Sequence, residues 1–431
     1  MLHQRLHCIA RQCLAVAVFV AAGTASAADW PQFQGPNRNG ISPETGLART
    51  WPEDGPRELW RVSVGEGFAG PAIRDGEVYL LDRLDSKQDV LRCLALDTGE
   101  ERWRFAYDAR GRVGHSGSRT TPTVTEKHVF TVGMLGHFYC FDRAAHKPVW
   151  KRELLEEFPL DSRPRWGFAQ SPALYGELVV VAPQSQEAFV AAFTQATGEL
   201  VWKSESLGLV GYSTPVITTL CGVDQAVMIG ACNKSGTEKG WVAGISMDGG
   251  EILWKYDGWQ CRIPIPYPAP VPDGRLFITG GYDAGSAMVR IVREDAAWRV
   301  EELFTTDACG SQIHQPLLIE DLLYVNSNSN ERSDGMMCLT LDGEVLWNTG
   351  ADGDLPDFER GHLLFADGLI ISLDGKSGIL YLVEPSPEGF REIASAKIFE
   401  GSRMWSPMAL SDGKLVLRSQ EEMACLDLKA P

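Results

Sequence analysis

The sequence lacks several features that would assign it to common functional classes. After residue 27, no stretch approaches the roughly 18 consecutive apolar residues expected of a membrane-spanning helix. No two cysteines are adjacent, and no Cys-x-x-Cys or His-x-x-His spacing indicates zinc or haem. Positive charge is scarce, with 40 lysines and arginines against 57 acidic residues and a net charge of −17. We therefore expect no transmembrane segment in the mature chain and no nucleic acid partner.

Residues 1–27 have the organisation of a secretory signal peptide. Arg5 and Arg11 accompany a short apolar run at 13–23, and Ala-Ser-Ala at 25–27 has the small-x-small pattern of a cleavage site. An uncleaved membrane anchor is the alternative, and the shortness of the apolar run disfavours it. The sequence therefore predicts an exported protein, either periplasmic or extracellular.

The mature sequence is dominated by one repeated unit. Each copy opens near a proline, runs through two apolar strands separated by a tight turn, and closes with a tryptophan after a second turn. The first five closing tryptophans follow one another at intervals of 43 to 52 residues, and the closing tryptophans are Trp60, Trp103, Trp150, Trp202, Trp254 and Trp347. Units of this length with four short strands are typical of the blades of a β-propeller.

Eight units can be counted from their opening positions. Seven open at a proline and one at Gly361-His362, whereas the last unit, which opens at Pro407, has no closing strand of its own. Residues 58–62 form a closing strand with no unit before it. We predict that this strand completes the last blade and closes an all-β ring, residues 58–431, of eight four-stranded antiparallel blades. Seven blades is the alternative if the weak unit at 358–400 is irregular.

Eight cysteines follow residue 27, and half of them occupy the same place in the repeat. Cys93, Cys140, Cys338 and Cys425 each lie in the strand before the second turn, which predicts small core residues rather than disulfides. Cys261 and Cys309 precede consecutive blades. A disulfide between them is possible in an exported protein, and the sequence does not decide whether it forms.

These copies resemble the PQQ-type propeller repeat, whose pattern is Ala-x-Asp-x-x-x-Thr-Gly-x-x-x-Trp. The copy Ala192–Trp202 matches almost throughout, with Thr194 in place of the aspartate, whereas the copy Cys140–Trp150 has His146 at the glycine position. The resemblance covers about 58–431, and residues 28–57 resemble the lead-in that precedes such propellers. It implies a propeller fold shared by quinoprotein dehydrogenases and by non-enzymatic periplasmic scaffolds such as BamB, so the fold alone does not decide between these activities.

For a PQQ-dependent dehydrogenase, the resemblance also implies a vicinal Cys-Cys disulfide, a calcium ion held by carboxylate and amide oxygens, and an aspartate base. The sequence has no adjacent cysteines and no acidic cluster that aligns with such a site. We therefore predict no catalytic and no metal-binding residues, and PQQ enters only under the alternative function.

The segments that immediately precede the blade openings, here called the entry loops, share one face of a propeller and converge on its central funnel. In this acidic protein they are rich in arginine and aromatic residues, which suit carboxylates, phosphates and planar or sugar rings. Pairing of each arginine with an acid of a neighbouring blade is the alternative. The predicted ligand- or cofactor-binding residues at the funnel mouth are Arg119, Arg165, Trp166, Trp259, Arg262, His314, Arg360, Arg403 and Trp405.

Two functions follow as hypotheses. The preferred one is an exported, non-catalytic binding or scaffold module whose entry-loop face binds a protein, a peptide or a glycan. The alternative is a divergent PQQ-dependent oxidoreductase that uses the cationic and aromatic funnel to hold the quinone.

Overall fold

The computed structural model describes residues 28–329, 333–351 and 353–430. They form eight four-stranded antiparallel sheets arranged as a ring, which confirms the predicted all-β, eight-bladed propeller and shows that the seven-bladed alternative is wrong. Within these residues, helix is limited to α1 (Leu154–Glu157) and a 3-10 turn at Thr349–Ala351. The predicted signal peptide, residues 1–27, lies outside the described residues.

In blades 1 to 7 the four strands follow chain order from the central channel outwards. The strands of blades 1 to 4 follow β1 (Arg57–Ser63) and are β2 (Ala72–Arg74), β3 (Glu77–Leu84), β4 (Gln88–Ala95), β5 (Glu101–Asp108), β6 (Thr123–Val124), β7 (His128–Val132), β8 (His137–Asp142), β9 (Lys147–Glu153), β10 (Ala173–Tyr175), β11 (Leu178–Val181), β12 (Ala191–Thr194), β13 (Leu200–Lys203), β14 (Val216–Leu220), β15 (Val223–Ile229), β16 (Val242–Ser246) and β17 (Ile252–Tyr256). The strands of blades 5 to 8 are β18 (Ala269–Val271), β19 (Arg275–Gly280), β20 (Gly285–Glu294), β21 (Ala297–Thr306), β22 (Leu317–Ile319), β23 (Leu322–Asn328), β24 (Ser333–Thr340), β25 (Val345–Asn348), β26 (Leu363–Ala366), β27 (Leu369–Leu373), β28 (Ile379–Val383), β29 (Glu392–Lys397), β30 (Ala409–Ser411), β31 (Lys414–Arg418) and β32 (Glu422–Asp427).

The ring is closed by the N-terminal strand, as the sequence predicts. Blade 8 has the order β1-β32-β31-β30, so β1 is its outermost strand and pairs antiparallel with β32. On the channel side, β2 of blade 1 contacts β30 of blade 8 as well as β6 of blade 2. The last blade therefore combines the two ends of the chain, which removes the open sheet edges that a linear array would expose.

The closing tryptophan of one blade packs on the second turn of the next blade. A Cβ atom at Gly99, Gly198 or Gly250 would lie under 3 Å from the ring of Trp60, Trp150 or Trp202, respectively. The same three indoles donate from Nε1 to backbone carbonyls of the following blade, at 2.7, 2.9 and 3.0 Å. The glycine is thus required for close approach as well as for its positive φ. These contacts couple neighbouring sheets around the ring.

The four cysteines of the repeat face the closing tryptophans. The cross-strand partners are Cys93 with Trp103, Cys140 with Trp150, Cys338 with Trp347, and Cys425 with Trp60. All four thiols are free and buried, which confirms their prediction as small core residues. Cys261 and Cys309 are also free and buried, so no disulfide joins them in this structure.

The N-terminal segment crosses the ring on the face opposite the entry loops. Isolated bridges join Trp30 to Ile73 of blade 1, and Ile41 to Phe365 of blade 7. Arg38 donates from Nη2 to the carbonyl of Leu174 in blade 3 at 2.8 Å. These partners lie in the innermost strands of their blades. The segment therefore spans the central channel and blocks it at that end.

Candidate functional site

The entry loops surround a cavity of about 590 Å³ at one end of the central channel, here called the funnel cavity. This volume is in the range of small-molecule sites, which run from about 300 to 1,000 Å³. Every blade contributes a side chain from its entry loop, because each loop ends where an innermost strand begins. In order from blade 1 to blade 8, these contributions include Phe68, Arg119, Trp166, Tyr212, Ile265, Ile313, Arg360 and Trp405.

The cavity brings together most of the predicted funnel-mouth residues, although their binding role stays a prediction. The seven of the nine that line it are Arg119, Arg165, Trp166, Arg262, His314, Arg360 and Trp405. Among the described residues, the lining contains four guanidinium groups and no aspartate or glutamate. The cavity is therefore cationic although the whole chain is acidic, and a field of this kind concentrates anions.

Two predicted residues are placed elsewhere. Trp259 is only 4% exposed, packs in the core of blades 4 and 5, and donates from Nε1 to the Gly285 carbonyl at 3.2 Å. Arg403 is exposed and does not line the cavity. Its backbone carbonyl accepts a hydrogen bond from the Gln420 side chain at 2.9 Å. Position in an entry loop thus puts a residue near the funnel without fixing the direction of its side chain.

A continuous stack of side chains runs along one side of the cavity. The rings of Phe68 and Trp405 are stacked, with centroids 5.4 Å apart and planes inclined by 18°. The guanidinium of Arg119 lies 5.1 Å from the Phe68 centroid, and that of Arg360 lies 5.1 Å from the Trp405 centroid. These four residues are here called the arginine–aromatic stack. They belong to blades 2, 1, 8 and 7, so the stack spans four consecutive blades.

Both guanidiniums of the stack are held by protein acceptors. Arg119 donates from Nε to the Trp166 carbonyl at 2.5 Å, and from Nη2 to the carbonyls of Gly114 and His115. Arg360 donates from Nε to Gln312 Oε1 at 2.6 Å and pairs through Nη1 with Glu359. Within the part of the chain that the structure describes, Arg119 Nη1 and Arg360 Nη2 have no hydrogen-bond partner. Each anchored group therefore retains a terminal nitrogen for a ligand.

Two further arginines lie nearer the mouth of the cavity. Arg165 and Arg262 are exposed, and the guanidinium of Arg165 lies 5.2 Å from the centroid of Trp166. Neither side chain makes an ion pair or a hydrogen bond with any other described residue. The alternative in which each arginine pairs with an acid of a neighbouring blade thus describes none of the four lining arginines, because Arg360 pairs with Glu359 of its own entry loop.

The electrostatic convergence is visible at His115, which lies on the cavity wall. Partial burial lowers its pKa, and the positive charges of Arg119, Arg403, Arg165 and Arg360 lower it further. Burial likewise lowers the pKa of Arg119 to about 10, which leaves its guanidinium charged at neutral pH. The wall therefore presents cationic guanidiniums around a neutral imidazole.

The floor of the cavity is built around two buried histidines. The rings of His314 and His362 meet edge to face with centroids 4.9 Å apart. His362 Nδ1 accepts from the backbone N–H of Met408 at 3.2 Å, and its Nε2 lies 2.9 Å from the side-chain amide of Gln34. Burial lowers the pKa of His314 to about 3 and the pKa of His362 well below its ordinary value. Both rings are therefore neutral at physiological pH.

Several cavity residues were not predicted from the sequence. Phe33 comes from the N-terminal segment and reaches the cavity through the channel, where its ring meets Tyr267 edge to face at 6.1 Å. Ile263, Ile265 and Ile313 add an aliphatic wall from blades 5 and 6. The position of the isoleucines in entry loops indicates that they lie near the funnel, but the predicted site contained only charged and aromatic residues. No repeat pattern marks Phe33.

No group of three or more histidine, cysteine, aspartate or glutamate side chains suited to a metal ion occurs among the described residues. In the same residues, no helix is long and apolar enough to cross a membrane.

Comparisons with known proteins agree with this architecture. The chain is similar in structure to a europium-containing methanol dehydrogenase, with a TM-score of 0.64 and 13% identity over 90% of this chain and 89% of that one. It is similar to BamB from Moraxella catarrhalis, with a TM-score of 0.57 and 13% identity over 86% and 99% of the two chains. A quinohemoprotein alcohol dehydrogenase from Comamonas testosteroni gives a TM-score of 0.62 and 10% identity over 94% and 81%.

At these identities the structural similarities establish the fold alone. Among curated proteins, none matches the sequence. The model of one protein family, described as outer membrane protein assembly factor BamB, matches residues 86–349, which is more than half of the chain. The repeated blade, the closing tryptophans and this match together show that the chain belongs to the BamB-like family of PQQ-type propellers.

Proposed function

We propose that the protein is an exported, non-catalytic binding module that takes an anionic ligand into the funnel cavity. The observation that carries the proposal is the set of four guanidiniums around a cavity whose lining, among the residues that the structure describes, contains no carboxylate. Anions bind such sites through charge-assisted hydrogen bonds, which are shorter and stronger than neutral ones. The ligand would be a protein, peptide or glycan group presented to the entry-loop face.

Two histidines, His115 and His314, line the cavity. The pKa values of His115 and His314 are both lowered, so both imidazoles are neutral at physiological pH. Neutral imidazoles with lowered pKa values favour a binding role over proton transfer.

The proposal is tested by titrating the purified protein with citrate and phosphate, using tricarballylamide as the uncharged analogue of citrate. We expect citrate to raise the melting temperature and the neutral analogue to leave it unchanged. Arg119→Met should weaken citrate binding by about tenfold to a hundredfold, because hydrogen bonds to charged groups contribute about 1.5–3 kcal/mol.

Arg299→Met is the matched control, because Arg299 is an exposed arginine on the outer strand β21. Its citrate affinity should equal that of the wild type. Absence of any response to anions in the wild type, or equal weakening by both substitutions, would contradict the proposal.

A second candidate function is a divergent PQQ-dependent oxidoreductase. Guanidiniums beside stacked rings suit a planar tricarboxylate, and dehydrogenases are among the structural relatives. The donor set of the cavity fits the carboxylates of PQQ but not a calcium ion, because no carboxylate lines the cavity. Reduction of a dye by the protein with PQQ, calcium and an alcohol or sugar would establish this function. Failure of PQQ to change the absorption spectrum or melting temperature would exclude it.

Export is tested separately from binding. Cleavage after residue 27 would leave a mature chain that begins at Ala28. Mass spectrometry of the protein recovered from the periplasm or medium should find this N-terminus. Recovery of the intact chain from the membrane fraction would instead support the uncleaved anchor.

A further inference from the structure

The funnel cavity is closed at its inner end. Phe33 forms part of its lining. The next residue, Gln34, contacts His362, and Gln34 and His362 are each at most 2% exposed. The N-terminal segment continues across the channel to blades 3 and 7. A ligand must therefore enter from the entry-loop face and stop at this floor. The end of a polymer can enter such a cavity, whereas a continuous chain cannot pass through it.

The two sides of the cavity differ in chemistry. The arginine–aromatic stack occupies blades 7, 8, 1 and 2, while Ile263, Ile265 and Ile313 belong to blades 5 and 6. Neighbouring blades follow chain order and blade 8 adjoins blade 1, so blades 5 and 6 face blades 1 and 2 across the ring. The cavity thus opposes the two anchored guanidiniums of the stack to an aliphatic wall, and blade 5 also supplies Arg262 to the lining. A ligand that fills the cavity would combine an anionic group with an apolar group.

The stack argues against a glycan as this ligand. Proteins hold sugars by laying them on open aromatic faces, but Phe68 and Trp405 stack on each other and each also carries a guanidinium. These rings serve to position the arginines. An aliphatic wall offers nothing to sugar hydroxyls, whereas it suits a leucine or isoleucine side chain, which is stabilised by burial of apolar area.

A second group of cations lies nearer the opening. Arg403 is exposed, no side-chain hydrogen bond or ion pair joins it to other described residues, and its charge acts on the cavity residue His115. Together with Arg165 and Arg262 it forms a cationic rim outside the half-buried Arg119 and Arg360. Charge therefore extends from the interior of the cavity to its surroundings, which matches a ligand with one anionic group inside and further acidic groups outside.

From these features we infer that the funnel cavity captures the free C-terminus of an acidic polypeptide. The terminal carboxylate binds an arginine of the stack, an aliphatic last side chain packs on the isoleucines, and acidic residues upstream contact the rim. This inference rests on the proposed function, because it names the anion that the cavity binds. Capture of a chain terminus by convergent donors is a known mode of peptide recognition.

The test uses the full mature chain and a pool of fluorescein-labelled hexapeptides. Every peptide carries two glutamates, ends in leucine or isoleucine, and has a free C-terminal carboxylate. The control pool is identical except for a C-terminal carboxamide. Fluorescence anisotropy should show about tenfold or tighter binding of the free acids, because the amide removes one charge-assisted interaction. Equal affinity for both pools would overturn the inference.

Three variants locate the interaction. Arg360→Met should reduce the preference for the free acid, and Ile313→Asn should weaken both pools while the preference persists. Arg299→Met, on the outer strand β21, should change neither. Circular dichroism and the melting temperature of each variant establish that it is folded. If Arg360→Met and Arg119→Met each left the preference for the free acid unchanged, the inference would also be overturned.

Two further probes separate this inference from the proposed function. If citrate binds the wild type but neither peptide pool does, the cavity is an anion site and the C-terminal peptide is the wrong ligand. If trigalacturonate binds more tightly than the free-acid pool, the partner is an acidic glycan and the inference fails. If no anionic probe binds, both the inference and the proposed function fail.

Discussion

The closing tryptophans that pack on a glycine and the arginines of the entry loops use their polar groups in opposite ways. In the blades, the buried Trp60 Nε1 donates to the Leu96 carbonyl at 2.7 Å, and its ring covers Gly99 so closely that no Cβ fits there. In the entry loops, the anchored Arg119 and Arg360 each keep one terminal nitrogen that has no hydrogen-bond partner among the described residues. The tryptophan contacts therefore stabilise the ring, while the loops hold the candidate site.

The comparison also separates two uses of aromatic residues. Trp150 and Trp202 each pack on a glycine and donate to a carbonyl of the next blade, a contact repeated around the ring. Trp405 instead stacks on Phe68 and lies beneath the guanidinium of Arg360. A tryptophan that recurs with the repeat is therefore part of blade packing, whereas one outside the repeat can line the cavity, as Trp405 does, or pack in the core, as Trp259 does.

The largest expected effect is on ring closure. Trp60→Ala should lower the free energy of unfolding by about 3–5 kcal/mol, because it removes a buried indole from the strand that closes blade 8. Urea denaturation followed by circular dichroism measures the loss. Val201→Ala on β13 is the control; Val201 is 50% exposed, and the change should stay within about 0.5 kcal/mol. Similar losses in both variants would mean that the β1 strand does not hold the ring.

The next effect isolates the contact between tryptophan and glycine. Gly99 and Gly76 belong to the same blade and have φ values of 69° and 72°, but a Cβ at Gly99 would lie 2.7 Å from the Trp60 ring while one at Gly76 meets nothing. Gly76→Ala should show only the backbone cost, about 1–2 kcal/mol. Gly99→Ala should lose about 1–3 kcal/mol more, because of overpacking. Equal losses in urea denaturation would show that the turn glycine serves its backbone alone.

The repeat made the blades predictable. The orphan strand at 58–62 and the missing last strand after Pro407 implied the closure that β1 and β32 now show. The recurrence of Cys93, Cys140, Cys338 and Cys425 in one position assigned them to the core, where each faces a tryptophan. These inferences succeeded because every copy of a repeated unit meets the same packing constraint.

The entry loops were predictable only as a group. Their shared position before each blade implied that they gather at one funnel, and seven of the nine named residues line one cavity. The direction of a side chain depends on local turns instead, so Trp259 packs into the core and the exposed Arg403 does not line the cavity. Phe33 and Gln34 belong to no repeat, and their place at the floor follows from the path of the N-terminal segment across the channel.

A third prediction concerns acid sensitivity at the floor. Burial lowers the pKa of His314 to about 3 and the pKa of His362 well below 6.5, so the unfolded chain binds protons that the folded chain excludes. Stability should therefore fall as pH decreases below about 6.5, by up to about 1.4 kcal/mol per pH unit for each histidine. Between pH 6.5 and 4.5, His314→Gln should reduce the dependence of the free energy of unfolding on pH by the contribution of one histidine, up to about 1.4 kcal/mol per pH unit. An unchanged slope in urea denaturation would contradict the burial of a neutral His314.

The smallest expected effect comes from the one turn where the repeat pattern has histidine for glycine. His146 has a φ of 57° and stacks on Trp103 with centroids 4.8 Å apart, and the buried Trp103 Nε1 has no hydrogen-bond partner among the described residues. In His146→Gly, relief of the positive φ opposes loss of the stack, so the free energy of unfolding should change by less than about 1 kcal/mol.

The sharper measurement on His146→Gly is structural. In the copies with glycine, the indole donates to the carbonyl of the residue three positions before that glycine. Trp60 donates to Leu96, before Gly99, and Trp150 donates to Gln195, before Gly198. The residue three positions before His146 is Arg143. A crystal structure of the variant should therefore show Trp103 Nε1 donating to the Arg143 carbonyl. If the indole keeps its present position over an empty space, the tryptophan is positioned by its own blade, and the glycine of the next blade merely accommodates it.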